Sequence, residues 1–513
     1  MQATISSYKK QVLILIAAIG ILRLIVAFNI DLGNDESYYW LYSQHLKLNY
    51  FDHPPMIAYW IRICTLNLKL QDYPGFIRLS SVISCCVATW FMYKCVATLR
   101  TERAGFIAAC LYNASFYAGI TAGIYAMPDS PQMIFLTAGL YLVVLITQNE
   151  NNWKYWLLFG VVSGLCIMSK IHGIFLWIGI GGYTLFYKRR WFSNARLYAA
   201  LIIAVVICLP ILSWNIKYNF ATFKFNGPRI DIADTKHNWI YFRNEILAQI
   251  FYTNPVNFVC IVLGLIALIK QKIARFPALT IFNFTGIPLA CILIIISLYK
   301  PTLAHWSGPG YVSLLPLAAV YIDERIQRKP VKFAGLSLGL HVIVLLVCAY
   351  IVNYSPINFG VPSGRYLGMT DPSLDMFEWK EAGEKFDSVY SSYLNSGKIT
   401  KQTPIVCEEW GGSHVEYYFC RPLNIKMIGL GNIMDLHEYM WLNNERKNSV
   451  DMSQAFCVVP SDEFYYYKKY YTDYYNYSDS VTTIHTYRSG TPAHNFYIYH
   501  LSGWKGTIPV INY

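Results

Sequence analysis

The stretch 31–56, DLGNDESYYWLYSQHLKLNYFDHPPM, decides how the chain is read. It follows directly on an apolar run, residues 12–30, and presents Asp35, Glu36, Asp52 and His53 among tyrosines. Ionisable groups at the mouth of an apolar segment carry a desolvation cost, so they mark places where something uses them. The run before them is long enough to cross a hydrocarbon core, which takes roughly 20 apolar residues. It is longer than a usual signal-peptide core and lacks a small-residue cleavage motif, so it reads as an uncleaved anchor.

The rest of the chain agrees with a membrane setting. Of 513 residues, 55% are hydrophobic and 14% charged, where soluble globular chains carry about 25% charged. One very large soluble helical core is excluded, because too little polar surface remains to cover it. Apolar segments at 11–30, 74–99, 104–125, 131–148, 153–169, 171–187, 197–214, 255–270, 279–298, 305–322 and 333–353 give about eleven membrane helices. The formal net charge of +12 is spread over separate clusters: Lys9 and Lys10; Arg100 and Arg103; Lys188, Arg189, Arg190 and Arg196; Lys270, Lys272 and Arg275; Arg325, Arg328, Lys329 and Lys332. With the N-terminus inside, every cluster lands on the cytoplasmic side. The charge is thus read as topology rather than as attraction to anionic lipid. A nucleic-acid face would concentrate it on one domain, so no nucleic-acid partner is expected.

This topology leaves 31–73, 127–130, 215–254, 300–304 and the tail 354–513 outside. In the first external loop, 37–48 and 56–68 mix apolar and polar residues at helical spacing and read as amphipathic helices lying in the interface. DHPP separates them, since proline disfavours helix in the residue before it. Two domains are expected: a membrane domain, 1–353, and a soluble periplasmic α/β domain, 354–513. In the latter, short β-like pieces such as TPIVCEEW and AFCVVP alternate with turns, and tyrosines crowd at 463–477. Of 13 cysteines, Cys407, Cys420 and Cys457 fall in this tail. An oxidising compartment permits a Cys407–Cys420 disulfide there, or none. No CxxC pair exists, which argues against zinc.

Asp35, Glu36, Asp52, His53, Asp129, Lys170, His172, Arg229 and His305 all fall on the outer side near helix ends. Each taken singly reads as a solvated loop charge, Asp129 as a helix N-cap in PDSP, and Lys170 as a snorkelling lysine. Taken together, on short loops that must lie near one another, they suit a phosphorylated, lipid-linked substrate. Displacing a lipid phosphate from a sugar C1 passes through an oxocarbenium-like state. A carboxylate near C1 stabilises that positive charge and can take the proton of an acceptor hydroxyl. Cationic or hydrogen-bonding groups belong around the leaving phosphate.

NDESYYW, YFDHPP, MPDSP, GLCIMSK and KPTLAHWSGPGY, in this order, resemble the bacterial branch of the protein O-mannosyltransferase superfamily, which includes the lipid A aminoarabinose transferases of the GT-C fold. The resemblance spans residues 10–325. It implies that Asp35 is the central catalytic carboxylate, with Glu36 completing an acidic pair and Asp129 as a second essential acid. It places Tyr39 and Tyr50 along the lipid-phosphate pocket. In the aminoarabinose enzymes an acid that can hold a metal and a phosphate-binding lysine precede the proline. Here those positions are Asp52 and His53. Neutral imidazole donates a hydrogen bond but brings no fixed charge, so Lys170, His172, Arg229 or His305 would supply it. No equivalent of the family's histidine metal partner is found. The cofactor reading is therefore none certain, with a divalent metal at Asp52 left open.

The resulting expectation is an inverting glycosyltransferase of GT-C type in the bacterial inner membrane, with its site and C-terminal domain periplasmic. It would move a sugar from a polyprenyl phosphate to lipid A or another envelope glycolipid. Protein O-glycosylation is the near alternative. From other classes come a lipid or sugar transporter, which would need midplane charges and repeats not seen here, and a non-catalytic membrane scaffold.

Overall fold

The computed structural model describes residues 7–233, 235–326, 328–408, 410–462 and 471–511. The chain forms two compact units: residues 1–27 with 46–345, and residues 28–45 with 346–513. The helices used below are α1 (Ser7–Phe28), α2 (Asn34–Gln44), α3 (Met56–Cys64), α4 (Pro74–Leu99), α5 (Glu102–Ala114), α6 (Asp129–Gln148), α7 (Trp153–Ser169), α8 (Phe175–Phe186), α9 (Ala195–Lys217), α10 (Ala221–Ile230), α11 (Trp239–Thr253), α12 (Pro255–Ile269), α13 (Pro277–Ser297), α14 (Gly308–Arg325), α15 (Pro330–Tyr354) and α16 (Trp379–Asn395).

The first unit is a helical bundle. Among the described residues α1, α4, α6, α9, α13 and α15 are each long and apolar enough to cross a membrane. The helices α11 and α12 qualify only as a pair, bent by 97° at Asn254. That residue has φ 74° and caps α12 by accepting from Val256 N, and Pro255 starts the new helix. The expected helix over 104–125 is broken: α5 ends at Ala114, and Tyr117–Thr121 forms a single π-turn. The expected external loop over 215–254 instead contains α10 and α11. The second amphipathic stretch ends at Cys64 rather than continuing to residue 68, because Leu66, Asn67 and Leu68 take positive φ.

One end of the bundle is clamped by ion pairs. Asp323 at the end of α14 accepts from Arg100 Nε at 2.7 Å and Arg103 Nε at 2.5 Å, and Arg100 also reaches Glu324. Glu150 pairs with Lys188 and Arg190 at 2.6 and 2.5 Å. Part of the basic charge is therefore spent on joining helix ends. Inside the bundle, Arg23 of α1 is 1% exposed. Its Nε donates to Gly119 O and its guanidinium to Asn113 Oδ1, both at 2.9 Å, which ties α1 to the break after α5.

The second unit contains a five-stranded mixed sheet of β1 (Ile405–Cys407), β2 (Met427–Gly429), β3 (Gln454–Pro460), β4 (Tyr475–Arg488) and β5 (Thr491–Trp504), in the order β2-β1-β3-β5-β4. β1 runs parallel to β2 and β3, and β5 pairs antiparallel with β3 and β4. The two β-like pieces expected from sequence are β1 and β3. Phe386 of α16 packs edge-on to Phe456 of β3 at 5.6 Å, closing the core on one face of the sheet. The residues 463–470 of the tyrosine-rich run lie outside the described residues. All the cysteines, Cys407 and Cys420 included, are free thiols.

The first external loop departs from expectation at its start. The stretch 37–48 was expected as an interfacial amphipathic helix. Instead α2 spans Asn34–Gln44 and every residue from Glu36 to Ser43 is buried. The physical reason is its aromatic surface: Tyr38 packs edge-on against Trp410 and His437, and Trp40 against Tyr417, so α2 behaves as a core helix of the second unit.

Candidate active site

In the first unit, residues from distant parts of the sequence meet at the end of the bundle opposite the ion-pair clamp. Asp129 starts α6 and is fully buried. Its side chain caps nothing, contrary to the helix-cap alternative. It accepts from Lys170 Nζ at 2.8 and 2.9 Å and from Tyr117 Oη at 2.7 Å. Lys170, 2% exposed, follows α7, and its carbonyl is anchored by Gln132 Nε2 at 3.2 Å. The lysine therefore does not snorkel into water. A carboxylate and an ammonium so closely joined offset part of each other's desolvation.

Tyr117 was not foreseen. It lies on the π-turn, and its ring rests against Gly308, where a β-carbon would sit 2.3 Å from the ring. The glycine of the quoted SGPG motif thus makes room for the tyrosine that bonds Asp129. No spacing in the sequence signals this contact.

Around the pair stand His53, His172 and His305. His53 feels the charges of Asp52, Lys170, Asp129 and Arg229, and His305 those of Lys170, Asp129 and His53. Each retains some surface while surrounded by protein, as groups lining a cleft do. Burial lowers the affinity of His53 for a proton, opposed by Asp52. Burial first, and Lys170 next, bring His305 down to about 4. Both are neutral near pH 7 and serve as hydrogen-bonding groups, leaving Lys170 and Arg229 as the fixed cations. Arg229 is exposed on α10 and stacks over Phe225 at 4.0 Å. Phe225 in turn meets Phe51 at 4.6 Å, which carries α10 onto the DHPP loop. Tyr50 is fully buried, its hydroxyl accepting from Lys47 N at 3.2 Å, and its amide donates to His53 O.

Asp35, Glu36 and Tyr39 belong to the second unit. Asp35 is exposed on the first turn of α2, where the helix dipole favours an acid. Glu36 is 2% exposed and accepts from Gly33 N at 3.0 Å, so it fastens its own helix start. Tyr39 is buried against Tyr38 and Tyr42. The backbone leading to Asp35 is gripped by the C-terminal part of the chain. Leu32 N donates to Tyr418 Oη and Leu32 O meets His414 Nε2, both at 2.5 Å. Asn34 N donates to Asp375 Oδ1 at 3.2 Å. Gly33 lets that carboxylate come close, since a β-carbon would lie 2.7 Å from Asp375 Oδ2. Burial pushes the Asp375 carboxyl up to about 7, against the Asn34 amide and with the help of Asp35 and Glu36.

Among the described residues no group of three or more His, Cys, Asp or Glu is arranged to hold a metal ion, Asp52 included. Hard divalent cations need several oxygen ligands.

Comparison with known proteins follows the same lines. Residues 52–214 match the family described as dolichyl-phosphate-mannose-protein mannosyltransferase. The lipid A galacturonosyltransferase RgtD of Rhizobium johnstonii is 24% identical over 68% of this chain and 74% of its own length. Among solved structures, ArnT from Cupriavidus metallidurans bound to undecaprenyl phosphate superposes with a TM-score of 0.61, covering 95% of this chain and 97% of that one at 13% identity. Its apo form gives 0.59, over 96% and 98% of the two chains at 13% identity. The fold is that of a GT-C membrane glycosyltransferase with a C-terminal sheet domain. In sequence the chain is similar to membrane glycosyltransferases, and in fold it is an integral membrane protein of the GT-C type.

Proposed function

We propose that this enzyme transfers a sugar from undecaprenyl phosphate, or a related polyprenyl phosphate, to lipid A at the periplasmic face of the bacterial inner membrane. The observation that carries the reading is the buried Tyr117–Asp129–Lys170 arrangement ringed by neutral histidines, in a fold shared with an undecaprenyl-phosphate-bound ArnT. Lys170 spends hydrogen bonds on both oxygens of Asp129 and has a third N–H to give. That proton, Arg229 and the imidazoles of His53, His172 and His305 would hold the lipid phosphate as its negative charge grows on departure. Tyr39 and Tyr50 would shape the lipid path, and Asp52 would orient His53.

Asp35 takes the role of the carboxylate beside the anomeric carbon. It stabilises the developing oxocarbenium charge and accepts the proton of the attacking hydroxyl. Inversion follows from a single displacement with no covalent sugar–enzyme stage. The lipid A acceptor is favoured by the likeness to a lipid A galacturonosyltransferase across most of both chains. A protein acceptor is the second reading, favoured by the family match over residues 52–214.

Mass spectrometry of envelope lipids tests the proposal. A strain carrying Asp35→Asn in place of the native chain is expected to lack one sugar mass on lipid A while accumulating the charged polyprenyl donor. Unchanged lipid A and a changed glycoprotein would transfer the reading to the protein acceptor. No change in either would sink it.

A further inference from the structure

A cavity lined by both polar and apolar groups lies in the first unit beside the histidine cluster. It holds about 190 Å³ and is bordered by Tyr241, Asn244, Glu245 and Ala248 of α11 and by Pro301, Thr302 and Ala304. Ala304 directly precedes His305 in the same 3-10 turn. Glu245 is 2% exposed. Its oxygens accept from Gln249 Nε2 at 2.7 Å and Thr302 Oγ1 at 2.6 Å, and Gln249 is in turn held by Tyr311 Oη at 2.6 Å. Both donors are neutral, and Glu245 makes no ion pair among the described residues.

A buried carboxylate without a cation is costly in a membrane protein and points to function. Each carboxylate oxygen has lone pairs beyond the single bond it receives. Asn244 adds an amide and Tyr241 a ring and hydroxyl to the same wall. Such a lining seeks ligand donors, O–H or N–H groups, and repels anions. The phosphate cluster next to it, with Lys170 and Arg229, seeks the opposite. We propose that the Glu245 cavity is a saccharide subsite that takes a sugar ring through hydroxyl or ammonium groups and rejects a ring bearing a carboxylate. This rests on the glycosyltransferase reading above and adds to it a place for the sugar. The same chemistry is offered by the sugar of the donor and by the hexosamines of lipid A, and the two are separable by experiment.

The test uses the full chain in lipid nanodiscs, with wild type, Glu245→Gln and Thr302→Val. Glu245→Gln keeps the shape and the neutral partners while removing the charge. Binding is measured separately to purified lipid A and to undecaprenyl-phosphate-linked hexosamine, with undecaprenyl phosphate alone as control. About a tenfold loss of affinity for one of the two saccharide lipids in both variants is expected, since a hydrogen bond to a charged group is worth about that much. Affinity for undecaprenyl phosphate alone should not change. Loss confined to the donor lipid assigns the cavity to the donor sugar, and loss confined to lipid A assigns it to the acceptor. A uronate-bearing donor should bind the wild type less well than the hexosamine donor, and Glu245→Gln should narrow that gap. Unchanged affinity for both saccharide lipids, in variants that melt like wild type, overturns the proposal. So does stronger binding of the uronate by wild type. Transfer by Asp35→Asn is measured in parallel: if that variant is active, the catalytic reading fails, whereas an inactive Asp35→Asn with normal Glu245→Gln binding removes the subsite alone.

Discussion

Two acids that the sequence presents alike, Asp35 and Asp129, are treated in opposite ways. Asp129 is buried and closed by a lysine and a tyrosine within 2.9 Å. Asp35 keeps its side chain exposed, and the grip falls on the backbone before it. An acid sealed in an ion pair offers a fixed field and a firm anchor. An exposed acid on a held backbone has a defined origin. In the proposed function the first would position and the second would carry the chemistry.

The sharpest way to break that contrast is Asp35→Asn. Losing the carboxylate should lower the transfer rate by about 10³-fold or more, the scale seen when charge stabilisation of a transition state is removed. Melting temperature and undecaprenyl phosphate binding should be unaffected. A variant that still transfers at near wild-type rate would return the chain to the transporter or scaffold classes.

Next in size is Lys170→Met. It strands the fully buried Asp129 without its cation, and breaking a buried pair costs about 3–5 kcal/mol. The variant should express poorly and melt early in detergent. Adding Asp129→Asn should restore most of the melting temperature, because the uncompensated charge is gone, without restoring donor binding. If Lys170→Met alone melts like wild type, Asp129 is not sealed as described and the contrast with Asp35 loses its first half.

The membrane fold was legible because long apolar runs and basic clusters follow directly from desolvation cost and charge asymmetry. The grouping of Asp129, Lys170, His53, His172 and His305 was legible because they sit at helix ends on one side of that pattern, whereas Asp35 and Glu36 fall in the second unit. Three things were not. Tyr117 depends on a π-turn and on the missing β-carbon of Gly308, neither of which has a periodic signature. The cradle under Asp35 pairs residues more than 340 positions apart, as in Asn34 with Asp375, and no local rule reports such contacts. The burial of α2 was missed because its mix of apolar, aromatic and polar residues at helical spacing resembles an interfacial helix, and only the aromatic surface offered by Trp410, Tyr417 and His437 makes it a core element.

His53 gives a smaller effect. Before the prolines, where the resemblance implies a lysine, this chain has an imidazole whose proton affinity burial lowers. If it donates to phosphate, His53→Ala should weaken donor binding about tenfold, while His53→Lys should keep activity, helped by Asp52 alongside. Equal activity of the two variants would remove His53 from the phosphate site and leave Lys170 and Arg229 to hold it.

The finest probe of the Asp35 half is Asp375. Its carboxyl titrates at about 7 in the folded chain against an ordinary 3.8. The folded state therefore keeps a proton that the unfolded chain gives up, and stability falls as pH rises between those values. His414, brought down to about 3 by burial, works the other way, since its unfolded form binds the extra proton below its ordinary 6.5. Glu378, also raised to about 7, works in the same direction as Asp375. A single melting curve mixes all three, so the informative quantity is wild type minus Asp375→Asn. That difference should decline from pH 4 to pH 7 and level off above. The asparagine still accepts from Asn34 N and has no proton to lose, so its transfer rate should hold at alkaline pH, where wild type gains a negative charge near Asp35. A difference curve that is flat with pH, together with identical alkaline rates, would mean that Asp375 neither titrates in this range nor positions the acid it holds.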